Sequence, residues 1–186
     1  MVDLLKDDEI IAAVQGWVKS FVVDMNLCPF AKRELTRNRI RFTSTAAKTE
    51  EALLMALQAE LELLDSDTAI ETTLLIHVNL LQDFDDYNQF LDYTDKLLRQ
   101  MGFEGVYQIA SFHPHYRFDG TGPDDAENYT NRSPYPMLHI IREESLARAI
   151  AESTNVDQIP ARNIELMNDL GQARLRTLLQ ACISGD

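Results

Sequence analysis

A chain of 186 residues, 45% hydrophobic and 25% charged, is long enough to bury the core of one globular domain over residues 1–186. Its formal net charge of −13 opposes binding to nucleic acid or an anionic membrane surface. No apolar run reaches the roughly 20 residues that span a bilayer. The acidic start, MVDLLKDDEII, lacks the basic region of a signal peptide, and two cysteines, Cys28 and Cys182, make no disulfide framework; both predict a cytoplasmic protein.

Asp7 or Asp8 caps a first helix. In it Ile10, Ile11, Val14, Trp17, Val18, Phe21, Val22 and Met25 recur at helical spacing, and Pro29 stops it near Asn26. Pro29 suits the first position of a short helix running to about Arg37, which leaves Cys28 at its N-cap. Ile40 to Thr43 reads as a short strand. Thr49 caps a long helix with Leu53, Leu57, Leu61 and Leu64 inward. Thr72 to Asn79 is β-branched and nearly continuous in apolar residues, which predicts a strand covered on at least one face. Asp83 or Asp85 starts a helix with Tyr87, Leu91, Thr94, Leu98 and Met101 inward, closed by Gly102. Val106 to Phe112 and Met137 to Arg142 are the third and fourth strands. Three helices follow: Glu143 to about Ser153, Pro160 to about Leu170, and Gln172 to about Ile183. The fold class is α+β, or α/β, with about four strands in a mixed sheet and a helical C-terminal third. Helices separate the first three strands, as a parallel arrangement requires.

Ser111 to Glu143 is the distinctive stretch. It holds three of the four histidines, three arginines and four of the six prolines. Compact domains rarely carry so long a connection unless it forms a lid or binding loop or is disordered. Side chains alternate faces along a strand, so His77 goes with Thr73 and Leu75, His113 with Tyr107, Ile109 and Ser111, and His139 with Met137 and Ile141. If these faces coincide, the three histidines share one side of the sheet and helices cover the other more densely. His77, set among aliphatics, reads as a structural residue. His139 stands between a structural and a catalytic role.

His113 and His115 sit where a strand opens into the loop, in a His-x-His spacing that can chelate a divalent metal such as zinc. Cys28, His139 or Asp119 would supply a third ligand. Cys28 at a helix N-cap, with Lys32 and Arg33 nearby, reads as a nucleophilic or redox thiol, as part of an anion site, or as a small residue packed under the turn. Cys182, near Leu178 and Leu179, reads as core. Between Phe30 and Arg41 the chain sets Lys32, Arg33, Arg37, Arg39 and Arg41 against one acid, Glu34. This is a helix face paired with acids elsewhere, or a patch for an anion or a partner. In the loop, Arg117 and Arg132 can grip a carboxylate or phosphate. Asn128, Thr130, Asn131 and Ser133 can fold it through local hydrogen bonds. Ser133-Pro134-Tyr135-Pro136 leads stiffly into the strand that carries His139 and Arg142, and either proline is open to a cis bond.

Three segments together resemble a known family. They are Asn26-Leu27-Cys28-Pro29-Phe30-Ala31; Phe112-His113-Pro114 with Tyr116 and Phe118; and Asn128 to Pro136 with His139 and Arg142-Glu143. The family is the bacterial one catalogued as domain of unknown function 1415, whose members are about this size. The resemblance implies a bacterial, cytoplasmic protein and carries no assigned catalytic residues.

The residues point first to an enzyme acting on a small anionic metabolite. His113 or His139 would be the general acid or base and Cys28 a nucleophile, with Arg117, Asn131, Arg132, Ser133, Tyr135 and Arg142 holding the ligand. Two other readings remain open: a metal-dependent hydrolase or metal-binding protein using His113 and His115, and a non-enzymatic binding module whose contact surface is the long loop.

Overall fold

The computed structural model describes residues 6–152 and 155–184. Helix α1 (Asp7–Trp17) runs directly into a π-helical segment, Val18–Val23. Here the hydrogen bonds skip one residue further than in an α-helix: Asp24 N–H reaches the Lys19 carbonyl and Leu27 N–H the Val22 carbonyl, each at 2.9 Å. Such wide turns occur often at functional sites. Asn26 ends the run with φ +55°, a left-handed conformation that asparagine tolerates. Then follow α2 (Ala31–Thr36), β1 (Ile40–Thr45), α3 (Glu50–Ser66), β2 (Thr72–His77), α4 (Phe84–Gln100), β3 (Tyr107–Phe112), a 3₁₀ turn (Ala126–Thr130), β4 (Met137–Arg142), α5 (Glu143–Ala151), a second 3₁₀ turn (Val156–Gln158), α6 (Ile159–Leu170) and α7 (Gln172–Ser184). The expected end of α5 at Ser153 lies outside the described residues.

The sequence marks many of these boundaries. The Thr49 side chain accepts from Ala52 N–H, and Asp83 accepts from Asp85 and Asp86 N–H. Gly102 and Gly171 adopt φ of +74° and +75° just past the ends of α4 and α6. All peptide bonds of the described residues are trans, including those before Pro134 and Pro136. Lys6, rather than Asp7 or Asp8, occupies the N-cap of α1.

The sheet order is β1-β2-β4-β3. β1 and β2 are parallel, and β4 is antiparallel to both of its neighbours. The first three strands therefore run the same way, but β4 separates β2 from β3. This is a single α+β domain with a mixed sheet and a helical C-terminal third.

Helices cover both faces. On one, Leu75, Leu138, Ile140 and Tyr107 meet Leu53, Leu57, Leu61 and Leu64 of α3 and Tyr87, Phe90 and Leu98 of α4. On the other, Leu74, Ile76 and Met137 meet Trp17, Val18 and Phe21, with Met167 of α6 and Leu175 of α7. The four α3 leucines have no exposed surface, so truncating any one to alanine costs about 2–5 kcal/mol. No described helix is long and apolar enough to cross a membrane.

Candidate functional site

The register separates the histidines. His139 pairs with Leu74 on β2 and Ala110 on β3, which puts it on the α1 face. His77 and His113 follow the opposite parity and lie under α4. The expectation of three histidines on one open side therefore fails, because β4 enters the sheet with the face of Leu74 rather than that of Leu75, and because both faces are covered.

On the α4 side, His77 stacks on Tyr87 with ring centroids 5.9 Å apart, and its Nδ1 lies 3.3 Å from the Leu80 carbonyl. Neither His77 nor His113 has exposed surface. The Nδ1 of His113 accepts the His115 N–H at 3.0 Å, so its Nε2 carries the proton and donates to the Leu81 carbonyl at 3.1 Å. With both nitrogens committed, His113 offers no lone pair to a metal. The His-x-His pair therefore does not form a chelate, and among the described residues no three His, Cys, Asp or Glu side chains converge to hold an ion. Desolvation pushes His77 and His113 down to about 4. The Tyr87 hydroxyl ties this end of the sheet together, donating to the Met137 carbonyl at 2.7 Å and accepting from Phe112 N–H at 3.1 Å. Burial raises its pKa.

On the other face the sheet forms the floor of a pocket of about 260 Å³. Leu74, Ala110, Phe112, His139 and Ile141 line the floor. Trp17, Val18 and Val22 contribute from the α1 end, Cys28 and Glu34 from the α2 region, and Leu146 and Ala149 from α5. The π-helical segment spans Val18 and Val22, so the widened turn forms part of the wall.

The polar atoms of this apolar pocket are few and specific. Thr72 Oγ1 lies 2.5 Å from the Ile140 carbonyl and 2.7 Å from His139 Nε2. A hydroxyl has one proton, and the carbonyl can only accept it, so Nε2 of His139 must donate to Thr72. Nδ1 then carries the lone pair, and no described residue hydrogen-bonds it. Desolvation holds His139 down at about 4, which keeps it neutral at physiological pH. Three further buried atoms have no hydrogen-bond partner among the described residues: Nε1 of Trp17, Oε1 of Glu71 and Oε2 of Glu34, the last in a longer ion-pair contact with Arg39. Native interiors leave few polar atoms in this state, and each calls for an explanation such as a ligand or water.

The carboxylates are held by the basic run. Arg33 Nε donates to Glu34 at 2.7 Å, Arg39 lies 3.4 Å from Glu34 Oε2 and also bonds Glu71, and Arg41 pairs with Glu60 at 2.6 Å. The basic stretch is thus largely spent on acids of the same chain. Glu34, only 7% exposed, was its one acid, and that isolation was the signal in the sequence. Trp17, Thr72 and Glu71 gave no signal beyond their place at element ends.

The family described as protein of unknown function (DUF1415) matches residues 9–177. The chain belongs to this family. No curated protein and no solved structure matches it.

The other site residues of this DUF1415 protein are dispersed. Cys28 does not cap a helix: α2 begins at Ala31 behind the N-cap Phe30, and Cys28 lies in the preceding turn, its carbonyl accepting from Ala31 N–H at 3.3 Å. The dipole argument for its thiol therefore lapses, while its place beside the pocket remains. Cys182 is half-buried and packs with Leu178 and Leu179 against the α1-side core, 3.3 Å from Ser20 Oγ. Arg142 turns away from the pocket and gives its donors to the Leu64 carbonyl in the last turn of α3, to the Asp67 and Ile70 carbonyls just beyond it, and to Tyr107 Oη. Asn131 donates to the Ser111 carbonyl, and Ser133 to the Tyr135 carbonyl. Tyr135 packs against the α1-side core. His115, Arg117, Arg132 and Ser133 line a different cavity, beside α7. Of the expected groups, His139 and Cys28 meet at the pocket and His115, Arg117, Arg132 and Ser133 at this second cavity, while His113, Asn131, Tyr135 and Arg142 line neither.

Proposed function

We propose that this protein is an enzyme acting on a small molecule in the pocket over His139. The observation that carries the reading is an apolar pocket floored by His139, whose Nε2 is bonded to Thr72 and whose Nδ1 has no described partner, with Nε1 of Trp17 and Oε1 of Glu71 also without a hydrogen bond on residues of the same lining. Apolar pockets with a few convergent polar groups are the usual form of small-molecule sites. At about 260 Å³ the space lies below the about 300–1,000 Å³ of drug-sized sites, so the substrate is small. Its apolar body is covered by Val18, Val22, Leu74 and Leu146. Its polar end offers N–H or O–H groups to the carboxylates and an acceptor to the indole.

His139 acts as general base through Nδ1. Thr72 holds the ring so that this nitrogen faces the substrate unprotonated, which is the state a base needs. Cys28, in the turn beside the same pocket, serves as the nucleophile or as an oriented polar group. In place of an anion, the pocket chemistry favours a ligand that donates hydrogen bonds.

The test is metabolite depletion. A small-molecule extract is incubated with wild-type protein, His139→Gln or Cys28→Ser, and its components are followed by mass spectrometry. The wild type consumes at least one component that His139→Gln leaves untouched, while the variant melts within a few degrees of the wild type. An extract unchanged by the wild type, or changed equally by folded His139→Gln, rejects the reading.

A further inference from the structure

A second cavity, of about 640 Å³, shares no lining residue with the pocket over His139. It lies between the start of α4, the 113–136 loop and α7. Helix α7 turns Gln172, Arg176, Leu179, Gln180 and Ile183 toward it, a spacing that marks one helical face. The loop supplies His115, Arg117 and Arg132.

Arg132 is the unusual member. It is only 8% exposed, yet no carboxylate of the described residues lies within 4 Å of it, in a chain whose net charge is −13. Buried charges are normally paired, because an unpaired ion in a low-dielectric interior costs several kcal/mol. Its Nε donates to the Tyr116 carbonyl at 3.2 Å and its Nη2 to the Pro123 carbonyl at 2.7 Å, while the guanidinium lies 4.6 Å from the Tyr129 ring centroid. A guanidinium has five N–H donors, so these contacts leave three without a described partner on a side chain that lines the cavity. Three acids share this lining and each has a donor, of which only that of Asp85 is a cation, so Asp83 and Asp124 keep their charge. Asp83 caps α4, Asp124 accepts from Gln172 at 2.6 Å, and Asp85 lies 3.6 Å from Arg117. Arg176 has no carboxylate of the described residues within 4 Å.

We infer that this cavity binds a small polyanion, a molecule carrying phosphate or carboxylate groups, with Arg132 as the fixed buried contact and Arg176 and Arg117 closing on it from α7 and the loop. Guanidinium groups suit both anions because their planar donor array matches two oxygens at once. The volume exceeds what a single phosphate fills, so the ligand carries its charge on more than one group or on an extended body.

The test is calorimetric titration of the full chain at low salt with two probes, pyrophosphate and citrate. Sodium chloride at matched ionic strength serves as the control. Binding of pyrophosphate alone assigns the phosphate class, of citrate alone the carboxylate class, and of both a site that selects charge. Arg176→Gln, on an exposed helix face, keeps the wild-type melting temperature and weakens the bound probe about tenfold or more, as removal of a charge-assisted contact predicts. Arg132→Lys, which keeps the charge but loses the fork, weakens it as well. If neither probe gives heat beyond the chloride control, or if Arg176→Gln and Arg117→Gln bind as tightly as the wild type, the inference is overturned. That failure would leave the reading of the His139 pocket untouched.

Discussion

Thr72 and His139 are diagonal neighbours on the β2–β4 ladder, opposite Ile141 and Leu74 respectively, with Oγ1 and Nε2 2.7 Å apart, and the Thr72 proton is committed to the Ile140 carbonyl. One hydroxyl therefore selects the tautomer of the imidazole and leaves Nδ1 free over the pocket. Thr72→Val keeps the shape of the side chain and removes the oxygen. The Nε2–H then loses a buried acceptor, which costs about 1–3 kcal/mol. Nitrogen NMR of the imidazole should show a single Nε2–H tautomer in the wild type and a mixture in Thr72→Val. An unchanged spectrum would mean that Thr72 does not set the tautomer.

His77, His113 and His139 are each held down at about 4 by burial, against an ordinary 6.5. Below pH about 6.5 the unfolded chain binds protons that the native chain refuses, so stability falls with falling pH. The contribution is fully present above about 6.5 and is lost as pH drops through about 4. One such histidine accounts for about 2 kcal/mol of lost stability by pH about 5. Urea unfolding of wild type and His77→Asn at pH about 7.5 and about 5 isolates this effect. Whatever the substitution costs at the higher pH, the gap should narrow by about 2 kcal/mol at the lower one. A gap that stays constant would show that His77 titrates normally in the native protein.

Much of the fold was legible. Thr49, Asp83, Gly102 and Gly171 mark real element ends, the α3 leucines are buried as their spacing predicts, and the β4 bounds are those read from the sequence. The facing of His139 was not legible, because parity places a side chain relative to its own strand and says nothing about the face on which the next strand joins. The π-helical turn was hidden for a similar reason: its apolar residues also fit an ordinary helical stripe, and only the hydrogen-bond pattern tells the two apart. Arg142 looked like a ligand contact because it is a cation near His139 in sequence, but the two are three residues apart on one strand, and an odd spacing puts side chains on opposite sides. The buried Glu34 was visible only as the odd acid in a basic run.

Arg142 sits where α3 ends, with its guanidinium against the Leu64, Asp67 and Ile70 carbonyls and over the Tyr107 ring, 5.6 Å from the ring centroid. It supplies donors to a helix end and the following turn, a role that a cation fills well at the negative end of a helix dipole. Arg142→Met keeps most of the side-chain volume and removes every donor. We expect a loss of about 2–4 kcal/mol, from several unsatisfied carbonyls at once, measured by urea unfolding. Binding at either cavity should be unaffected wherever the variant is folded. A ligand affinity that falls in the folded variant would assign Arg142 to a site instead.

Asn128 has no exposed surface and makes the 113–136 connection a folded unit. Its Oδ1 accepts from Phe118 N–H at 3.0 Å and from Thr121 Oγ1 at 2.8 Å, and its Nδ2 donates to the Gly122 carbonyl at 2.8 Å. Three contacts from one amide gather the loop around residue 120, next to the stretch that Arg132 clamps at Tyr116 and Pro123. Asn128→Asp is the sharper probe than alanine, because it keeps the shape and both contacts to Oδ1 while turning the Gly122 contact from donor–acceptor into acceptor–acceptor. We expect about 2–3 kcal/mol of destabilisation at neutral pH. Part of it should be recovered as the pH is lowered and the new carboxyl takes up a proton that can again be donated to Gly122. Hydrogen exchange should quicken at Phe118 and Gly122 while the sheet amides of β2 and β4 keep their protection. Uniform loss of protection across the sheet would instead make the loop part of the global folding unit.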